Sequence, residues 1–235
     1  SVFVQWMFNS ACLSIYWQQY DWYCVPVAAY YCTKKACEPI QLIYNYKNFN
    51  VYAVNEGKET KTVVAGVKVY DAESKLIDEQ KCTLESSYRK TVKAFDLAKF
   101  QGIPHFISLE LTDTDGKFIA DNFYCIGAKP HVYDWKDFTW YYTPVVEFSD
   151  LRFAFDQPEA DVDMKVEEKD GTYTVTLTNS SPVISYMNIL KAKDSAGNMV
   201  VPAYWSDNFF PLLPGQTKTV TCCAGVKGVW IELDK

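Results

Sequence analysis

The stretch Asp161–Asn179, DVDMKVEEKDGTYTVTLTN, decides the fold class, because it contains two alternating segments joined by a tight turn. Alternation of apolar and polar side chains is typical of a strand that buries one face. The dipeptide Asp170–Gly171 between the segments is favoured in two-residue hairpin turns. The stretch therefore predicts an antiparallel β-hairpin.

The same alternation recurs through most of the chain, in blocks at about 40–128 and 149–235. Turn signals such as Asn55-Glu56-Gly57 and Ser195-Ala196-Gly197-Asn198 separate the alternating segments, at spacings typical of antiparallel sandwiches. We predict a mainly β chain with two sandwich domains of ordinary domain size. In the first block the predicted strands are IQLIYNY (40–46), NVYAVNE (50–56), KTVVAGVKVYD (61–71), HFISLELTD (105–113) and KFIADNFYCI (117–126).

Residues 1–39 have a different pattern. Val2–Phe8 is a short apolar run that suits a strand buried on both faces. Pro26–Cys37 is predicted to be a helix with proline in its first turn, ending before Glu38–Pro39. One strand and one helix cannot form a core, and residues 1–37 include ten aromatic residues. We expect this segment to dock on the 40–128 sandwich or on a second copy of the chain, through self-association.

Residues 129–148 join the two sandwiches and are too aromatic for a flexible tether. We predict that the rings pack on a sandwich face and fix the angle between the domains. The alternative is a row of rings that stack on sugars. The aromatic residues concerned are Trp135, Phe138, Trp140, Tyr141 and Tyr142.

Charge and composition exclude several classes of function. A net charge of -6 and a pI near 5.0 give no electrostatic reason to bind nucleic acid or an anionic membrane. No apolar run reaches the length of a membrane-spanning helix, and the start lacks the features of a signal peptide. The cellular address stays open.

The eight cysteines match no zinc-site spacing and include no C-x-x-C pair. We predict that they are small buried apolar residues, with a disulfide or two left open. They are Cys12, Cys24, Cys32, Cys37, Cys82, Cys125, Cys222 and Cys223.

Motifs that carry chemistry are absent from the sequence. His105 and His131 are both predicted to be ordinary loop residues, and neither lies in a nucleophile motif. Asp113–Gly116 is too short for a calcium loop and is predicted to be a turn. The acidic residues of 161–170 alternate as a solvated strand edge does, without the opposed carboxyls that glycoside hydrolysis requires. We predict no cofactor, no metal and no catalytic residue in this chain.

Three signatures, the first made of two segments, nevertheless resemble one enzyme family. The segments VQWMFNSACLSIYWQQYDWY (4–23) and AYYCTKKACEPI (29–40) resemble the eighth strand and helix of the (β/α)8 barrel of glycoside hydrolase family 2. NFYCIGAKPHVYDWKDFTWYYTP (122–144) and PAYWSDNFFPLLPGQ (202–216) are similar to parts of its exo-β-D-glucosaminidase and β-mannosidase branch. The resemblance implies that both sandwiches are immunoglobulin-like.

The resemblance also implies an activity for a longer parent protein. Such enzymes are retaining exo-glycosidases that remove terminal β-linked glucosamine or mannose, and their catalytic glutamates follow barrel strands four and seven. We therefore expect this chain to be an inactive, structural C-terminal fragment, divided into a barrel remnant (1–39), a sandwich (40–128), an aromatic linker (129–148) and a second sandwich (149–235). The resemblance also favours a parent protein that is exported, to the periplasm or outside the cell.

Four residues are the candidate substrate contacts that the resemblance implies. Trp6 matches a strand-eight tryptophan that forms a floor for the sugar, and it has ordinary core packing as the alternative. Asn9, Trp17 and Asp21 follow in a loop that would border the site. Cys12–Leu13 replaces the family's Trp-Pro, so the aglycone wall differs.

Two further expectations complete the sequence analysis. Asp207, within Trp205-Ser206-Asp207-Asn208, is predicted to stabilise a turn between strands by hydrogen bonding its own backbone. The competing function is a stand-alone, two-domain carbohydrate-binding or adhesion protein. That alternative requires exposed, coplanar tryptophans.

Overall fold

The computed structural model describes residues 4, 5, 7–14 and 18–234. The chain divides into two compact units, and each has its own hydrophobic core. One unit is Glu38–Gln157. The other combines the N-terminal residues up to Cys37 with Pro158–Lys235. The fold is mainly β, as predicted.

The unit Glu38–Gln157 contains a sandwich of two antiparallel sheets. One sheet has the order β1-β2-β5 and the other the order β4-β3-β6-β7. The strands are β1 (Ile40–Asn45), β2 (Asn50–Asn55), β3 (Lys61–Asp71), β4 (Leu76–Ser86), β5 (Lys90–Asp96), β6 (His105–Asp113) and β7 (Phe118–Ile126).

The alternation of β3 and β6 explains why they lie at the centre of their sheet. Val63, Ala65, Val67 and Val69 project from one face of β3 and are almost completely buried. Leu109 of β6 pairs with Val67 and is equally buried. Because side chains alternate across a strand, a single register places all of these residues in one core.

A buried asparagine ties the turn after β2 to a neighbouring strand. Asn55 has no exposed surface, and its Nδ2 donates to the carbonyl of Ser86 at 2.6 Å and to that of Glu59 at 3.0 Å. Its Oδ1 accepts the backbone N–H of Gly57 at 2.8 Å. A buried amide with both of its polar atoms satisfied stabilises the fold.

The C-terminal part of the other unit is a second antiparallel sandwich. Its sheets have the orders β10-β11-β15-β13 and β14-β12-β16. The strands are β10 (Val162–Lys169), β11 (Thr172–Asn179), β12 (Ser185–Lys193), β13 (Tyr204–Trp205), β14 (Phe210–Leu212), β15 (Thr217–Cys223) and β16 (Trp230–Asp234). Two short strands, β8 (Val132–Tyr133) and β9 (Val145–Glu147), belong to the unit Glu38–Gln157.

The hairpin predicted from Asp161–Asn179 is confirmed. Lys169 pairs with Thr172, and Asp170 and Gly171 between them both have positive φ, at 52° and 78°. Two consecutive positive φ angles define the turn that matches the twist of the flanking strands. At the far end of β11, the buried Asn179 donates from Nδ2 to the carbonyls of Val183 and Leu212, at 2.8 and 2.9 Å.

The helix α1 spans Ala28–Ala36, with Val27 as N-cap. Pro26 lies before the helix rather than in its first turn, because it forms a β-bridge with Tyr20. We expected the N-terminal segment to dock on the 40–128 sandwich or on a second copy. The first of these expectations is wrong, since Tyr31 of α1 is 2% exposed and belongs to the core of the C-terminal sandwich. Self-association stays a prediction.

The predicted strand Val2–Phe8 falls partly on residues 2, 3 and 6, which lie outside the described residues. Val4, Gln5 and Met7 are described and are not in a strand. Phe8 accepts backbone N–H groups from both Gln19 and Tyr20. The backbone carbonyl of Phe8 is therefore hydrogen bonded to the loop that follows it in the sequence.

The aromatic linker corrects a prediction. We expected its rings to be buried against a sandwich, but Trp135 is 70% exposed and Trp140 is 89% exposed. The segment folds back on itself through β8 and β9, and the backbone N–H of Asp134 donates to the carbonyl of Pro144 at 2.9 Å. Backbone bonds therefore hold this hairpin, and its rings remain exposed.

Cysteine burial and His105 are two further corrections. Cys222 is buried and Cys82 and Cys125 are half-buried, but the other five cysteines are exposed, and all eight are free thiols.

His105 begins β6 and is 2% exposed, since its ring packs beside Phe100 at 5.6 Å and its Nδ1 lies 2.6 Å from the carbonyl of Ile103. Among the described residues, no helix is long and apolar enough to cross a membrane.

Candidate functional site

The candidate site is built on the N-terminal loop that precedes α1. Asn9 forms a parallel bridge with Tyr20, and Tyr20 forms an antiparallel bridge with Pro26. The backbone N–H of Val27 donates to the carbonyl of Gln19 at 3.0 Å. These bonds place the segments around Asn9, Tyr20 and Pro26 side by side, immediately before α1 begins.

Aromatic rings connect this loop to the C-terminal sandwich. Phe8 and Tyr20 lie 4.8 Å apart, and Tyr20 and Tyr30 lie 5.3 Å apart. The series continues through Tyr31, 5.0 Å from Tyr30, to Phe209, 5.8 Å from Tyr31. Tilted and edge-on pairs at these distances are favourable contacts, so the rings position the loop.

Asp21 forms the tight turn at the end of the loop. Its Oδ1 accepts the backbone N–H of Val25 at 2.9 Å, and its own N–H donates to the carbonyl of Val25 at 3.0 Å. Cys24 within the turn has a positive φ of 62°. Asp side chains stabilise turns in this way by replacing a backbone acceptor.

A pocket of about 170 Å³ lies between the turn and the sandwich, in the same unit. Its lining is mostly apolar and includes one carboxylate, Asp21, and one ammonium group, Lys191. The lining includes Asp21, Tyr31, Leu190, Val200, Trp205 and Phe209.

Two lysines fasten α1 to the loop between β13 and β14. Lys34 Nζ donates to the carbonyl of Ser206, and Lys35 Nζ lies 3.4 Å from Oδ2 of Asp207. Lys218 Nζ lies 2.7 Å from the same Oδ2. The predicted turn role of Asp207 is confirmed, because its Oδ1 accepts the N–H of Asn208, but the carboxylate also joins helix and sandwich.

Asn208 completes this junction from inside the core. It is 4% exposed, and its Oδ1 accepts the N–H of Leu190 at 2.8 Å while its Nδ2 donates to the carbonyl of Leu190 at 2.9 Å. Burial raises the pKa of the Tyr31 phenol well above its usual value, and a hydrogen bond from Asn208 opposes that rise. The phenol is thus neutral at every physiological pH.

Two domain families match the chain. The exo-beta-D-glucosaminidase Ig-fold domain matches residues 140–231, and the mannosidase Ig/CBM-like domain matches residues 47–127. Both sandwiches are immunoglobulin-like domains from the C-terminal region of glycoside hydrolase family 2, of the exo-β-D-glucosaminidase and mannosidase kind. The fold class and the family resemblance drawn from the sequence are both confirmed.

Relatives of this C-terminal region are exo-β-D-glucosaminidases. The chain is 32% identical to the enzyme of Amycolatopsis orientalis over 93% of its own length, but over only 22% of that enzyme. It is 31% identical to the enzyme of Arthroderma benhamiae over 90% of its own length and 24% of that enzyme. The chain therefore spans about a quarter of the curated relatives it matches.

Solved structures agree with this assignment. An exo-chitosanase of Amycolatopsis orientalis matches 97% of the chain with a TM-score of 0.85 and 30% identity, and the match covers 29% of that structure. A β-D-mannosidase of Dictyoglomus thermophilum matches with a TM-score of 0.68 at 18% identity, which shows a shared fold alone.

The four candidate substrate contacts lie at the N-terminal end of this region. Trp6 and Trp17 lie outside the described residues. Asn9 is exposed, and the bridge to Tyr20 brings it next to the Tyr20–Asp21 step. The structure thus brings Asn9 near Asp21, and contact of any of the four residues with substrate stays a prediction.

Sequence reasoning missed the lysine–aspartate junction. The lysines near the end of α1 suggested only a favourable interaction with the helix dipole. The signals available in the sequence were the two adjacent lysines, Lys34 and Lys35, and the Asp-Asn step at 207–208. Those signals are weak, because surface lysines and aspartates are common.

The metal-ligating and acidic residues of the described part of the chain are arranged as follows. No group of three or more His, Cys, Asp or Glu residues there is arranged to hold a metal ion. The acidic residues of β10 and its flanks are exposed at the edge of a sheet, as expected for a solvated edge. They are Asp161, Asp163, Glu167, Glu168 and Asp170.

Proposed function

We propose that this chain is the C-terminal accessory region of a retaining exo-glycosidase that removes terminal β-linked glucosamine or mannose. The observation that supports this most strongly is the 32% identity to an exo-β-D-glucosaminidase over 93% of the chain. The order of the domain matches adds support, since a mannosidase-type domain precedes a glucosaminidase-type domain.

The proposed parent reaction uses two carboxyl groups outside this region. One carboxylate attacks the anomeric carbon while a carboxylic acid protonates the leaving oxygen, which breaks the glycosidic bond and forms a glycosyl ester. Water then hydrolyses the ester, releasing the sugar and restoring the acid. Such carboxyl groups lie about 5–5.5 Å apart in retaining enzymes.

In this proposal the role of the chain is structural, and its N-terminal loop borders the substrate. Trp6 would offer a ring face to the sugar, and Asn9, Trp17 and Asp21 would lie beside it. Asn9 suits this role because its side chain is exposed. Asp21 already uses one carboxylate oxygen for its own turn, which leaves the other for a hydroxyl or ammonium group.

The sugar specificity is tested by comparing substrates of the complete polypeptide that contains this region. Release of nitrophenol from 4-nitrophenyl β-D-glucosaminide and β-D-mannoside should exceed release from the β-galactoside. Asn9→Ala should raise KM with little change in stability, whereas the neighbouring exposed Leu13→Ala serves as a matched control. Equal rates on all three glycosides would contradict the proposal.

A second candidate function is a stand-alone carbohydrate-binding protein, favoured by the exposed rings of Trp135 and Trp140. The geometry gives it less support. Trp135 is inclined by 47° to Phe138, and Trp140 by 77° to Tyr141. Titration calorimetry with chito- and manno-oligosaccharides tests this function, since it requires saturable heat from the isolated chain.

A further inference from the structure

An exposed apolar feature in the described part of the chain is residues 131–148, which we call the aromatic hairpin. Nine of its large apolar side chains are exposed, and the exposed fraction reaches 89% at Trp140. Contiguous exposed apolar patches mark interaction sites, because water contact with such a surface is unfavourable. The nine are Val132, Tyr133, Trp135, Phe138, Trp140, Tyr141, Tyr142, Val146 and Phe148.

Internal hydrogen bonds give the aromatic hairpin a defined shape. Asp134 Oδ1 accepts the backbone N–H of Lys136 at 2.9 Å. The N–H of Thr139 donates to the carbonyl of Tyr142 at 2.8 Å, and the N–H of Ser149 donates to Nδ1 of His131 at 3.1 Å. A preformed surface loses little conformational entropy when a partner binds.

The rings form an uneven surface. Tyr133 and Trp135 have centroids 5.5 Å apart and planes inclined by 45°, and His131 meets Phe148 edge-on at 88°. Inclined rings leave ridges and grooves that suit the side chains of a protein. A flat sugar ring is better served by parallel platforms.

The charges around the aromatic hairpin argue against a second copy of the chain as the occupant. Residues 129–152 contain three basic side chains and four carboxylates. Lys129 pairs with Glu147 at 3.1 Å and Arg152 pairs with Asp150 at 2.6 Å, which leaves one lysine against two carboxylates. Two such surfaces facing each other would bring like charges together, which costs free energy. The charges instead suit a partner with basic groups around an apolar centre.

We propose that the aromatic hairpin docks on the catalytic portion of the same glycosidase, so that the two together bury its rings. This inference rests on the proposed function. It is supported by the length of the relatives, since the matched region makes up 22% and 24% of their chains and is covalently joined to the remainder. A tethered partner has a high effective concentration, which favours docking within one molecule.

Hydroxyl-radical labelling with mass spectrometry tests the docking. Trp135 and Trp140 should be labelled rapidly in the isolated chain and lose that labelling in the complete polypeptide. Trp230, 47% exposed on β16, is the internal reference and should be labelled equally in both. Equal labelling of Trp135 and Trp140 in both proteins would overturn the inference. Protection of the isolated chain by chito-oligosaccharides, or by raising its own concentration, would overturn it in favour of a sugar or a second copy.

A pair of substitutions separates docking from folding. Trp140→Glu should leave the unfolding midpoint of the isolated chain unchanged, because the ring is exposed, and should lower that of the complete polypeptide. Tyr204→Glu, at a 67% exposed ring on β13, is the matched control and should change neither. An unchanged midpoint for Trp140→Glu in the complete polypeptide would contradict docking. A complete polypeptide without glycosidase activity would overturn the proposed function, whereas labelling and midpoint report on the hairpin independently.

Discussion

Oδ2 of Asp207 lies 3.4 Å from the ammonium of Lys35, so one carboxylate in the C-terminal sandwich holds the end of a helix more than 170 residues earlier in the chain. Lys218 of β15 shares that oxygen at 2.7 Å. The three side chains are at most 28% exposed, which places the pair between a surface ion pair and a buried one.

Asp207→Asn tests this junction without changing side-chain size. The variant removes the negative charge that both lysines contact, and we expect a loss of about 1.5–3 kcal/mol in the free energy of unfolding, the value of a charged hydrogen bond. Urea denaturation followed by circular dichroism measures the loss. Asp150→Asn is the control, because Asp150 pairs with Arg152 in solvent, and its midpoint should not move. Equal effects of the two substitutions would show that the junction adds nothing.

Tyr31→Ala tests whether α1 belongs to the core of the C-terminal sandwich. Removing a buried ring leaves a cavity and should cost about 3–5 kcal/mol, as for other large aromatic deletions. Hydrogen exchange at the amides of Ala28–Ala36 should become faster as the helix detaches. Tyr23→Ala, at a 63% exposed ring, should leave both quantities unchanged. Unchanged exchange in the Tyr31 variant would place the helix outside the core.

Asn179→Ala tests the buried amide that joins β11 to β14. The carbonyls of Val183 and Leu212 lose their donor, and a buried polar group without a partner costs about 1–3 kcal/mol. Asn55→Ala should have a comparable effect in the other sandwich, since Asn55 makes the same kind of contacts. Asn198→Ala, at an exposed turn, is the control for both, and an equal loss in that variant would contradict the assignment.

His105 predicts a pH dependence of stability. Burial lowers the pKa of the imidazole below its usual 6.5, against the opposing effect of the Ile103 carbonyl. The unfolded chain then binds more protons than the folded chain between the folded pKa and about 6.5. The stabilisation is therefore complete above that range and is lost as the pH falls through it.

Urea midpoints at several pH values between about 5 and 8 measure this effect. His105→Leu should flatten the slope near pH 6. An unchanged slope in the His105 variant would show that another group is responsible.

Strands with one strongly apolar face could be predicted from the sequence, and the edge strands β4 and β5 could not. The bounds of β3 and β6 were predicted to the residue. The strands β4 and β5 were missed, because one face of each is only half-buried and tolerates lysine, glutamate and aspartate. Edge strands of this composition give little hydrophobic periodicity.

The candidate site was predicted only in outline. Asn9 and Asp21 were identified by resemblance, and the loop that brings them together depends on backbone bridges that sequence does not reveal. The linker rings were predicted to be buried because aromatic residues usually are. Their exposure could not be foreseen, since it depends on how the β8–β9 hairpin folds back.

The most direct measurement of the central claim compares the isolated chain with the complete polypeptide on 4-nitrophenyl β-D-glucosaminide. The account predicts that the 235-residue chain releases nitrophenol no faster than buffer, while the complete polypeptide turns over with retention at the anomeric carbon. Turnover by the isolated chain above the buffer rate, abolished by a substitution within it, would contradict the account.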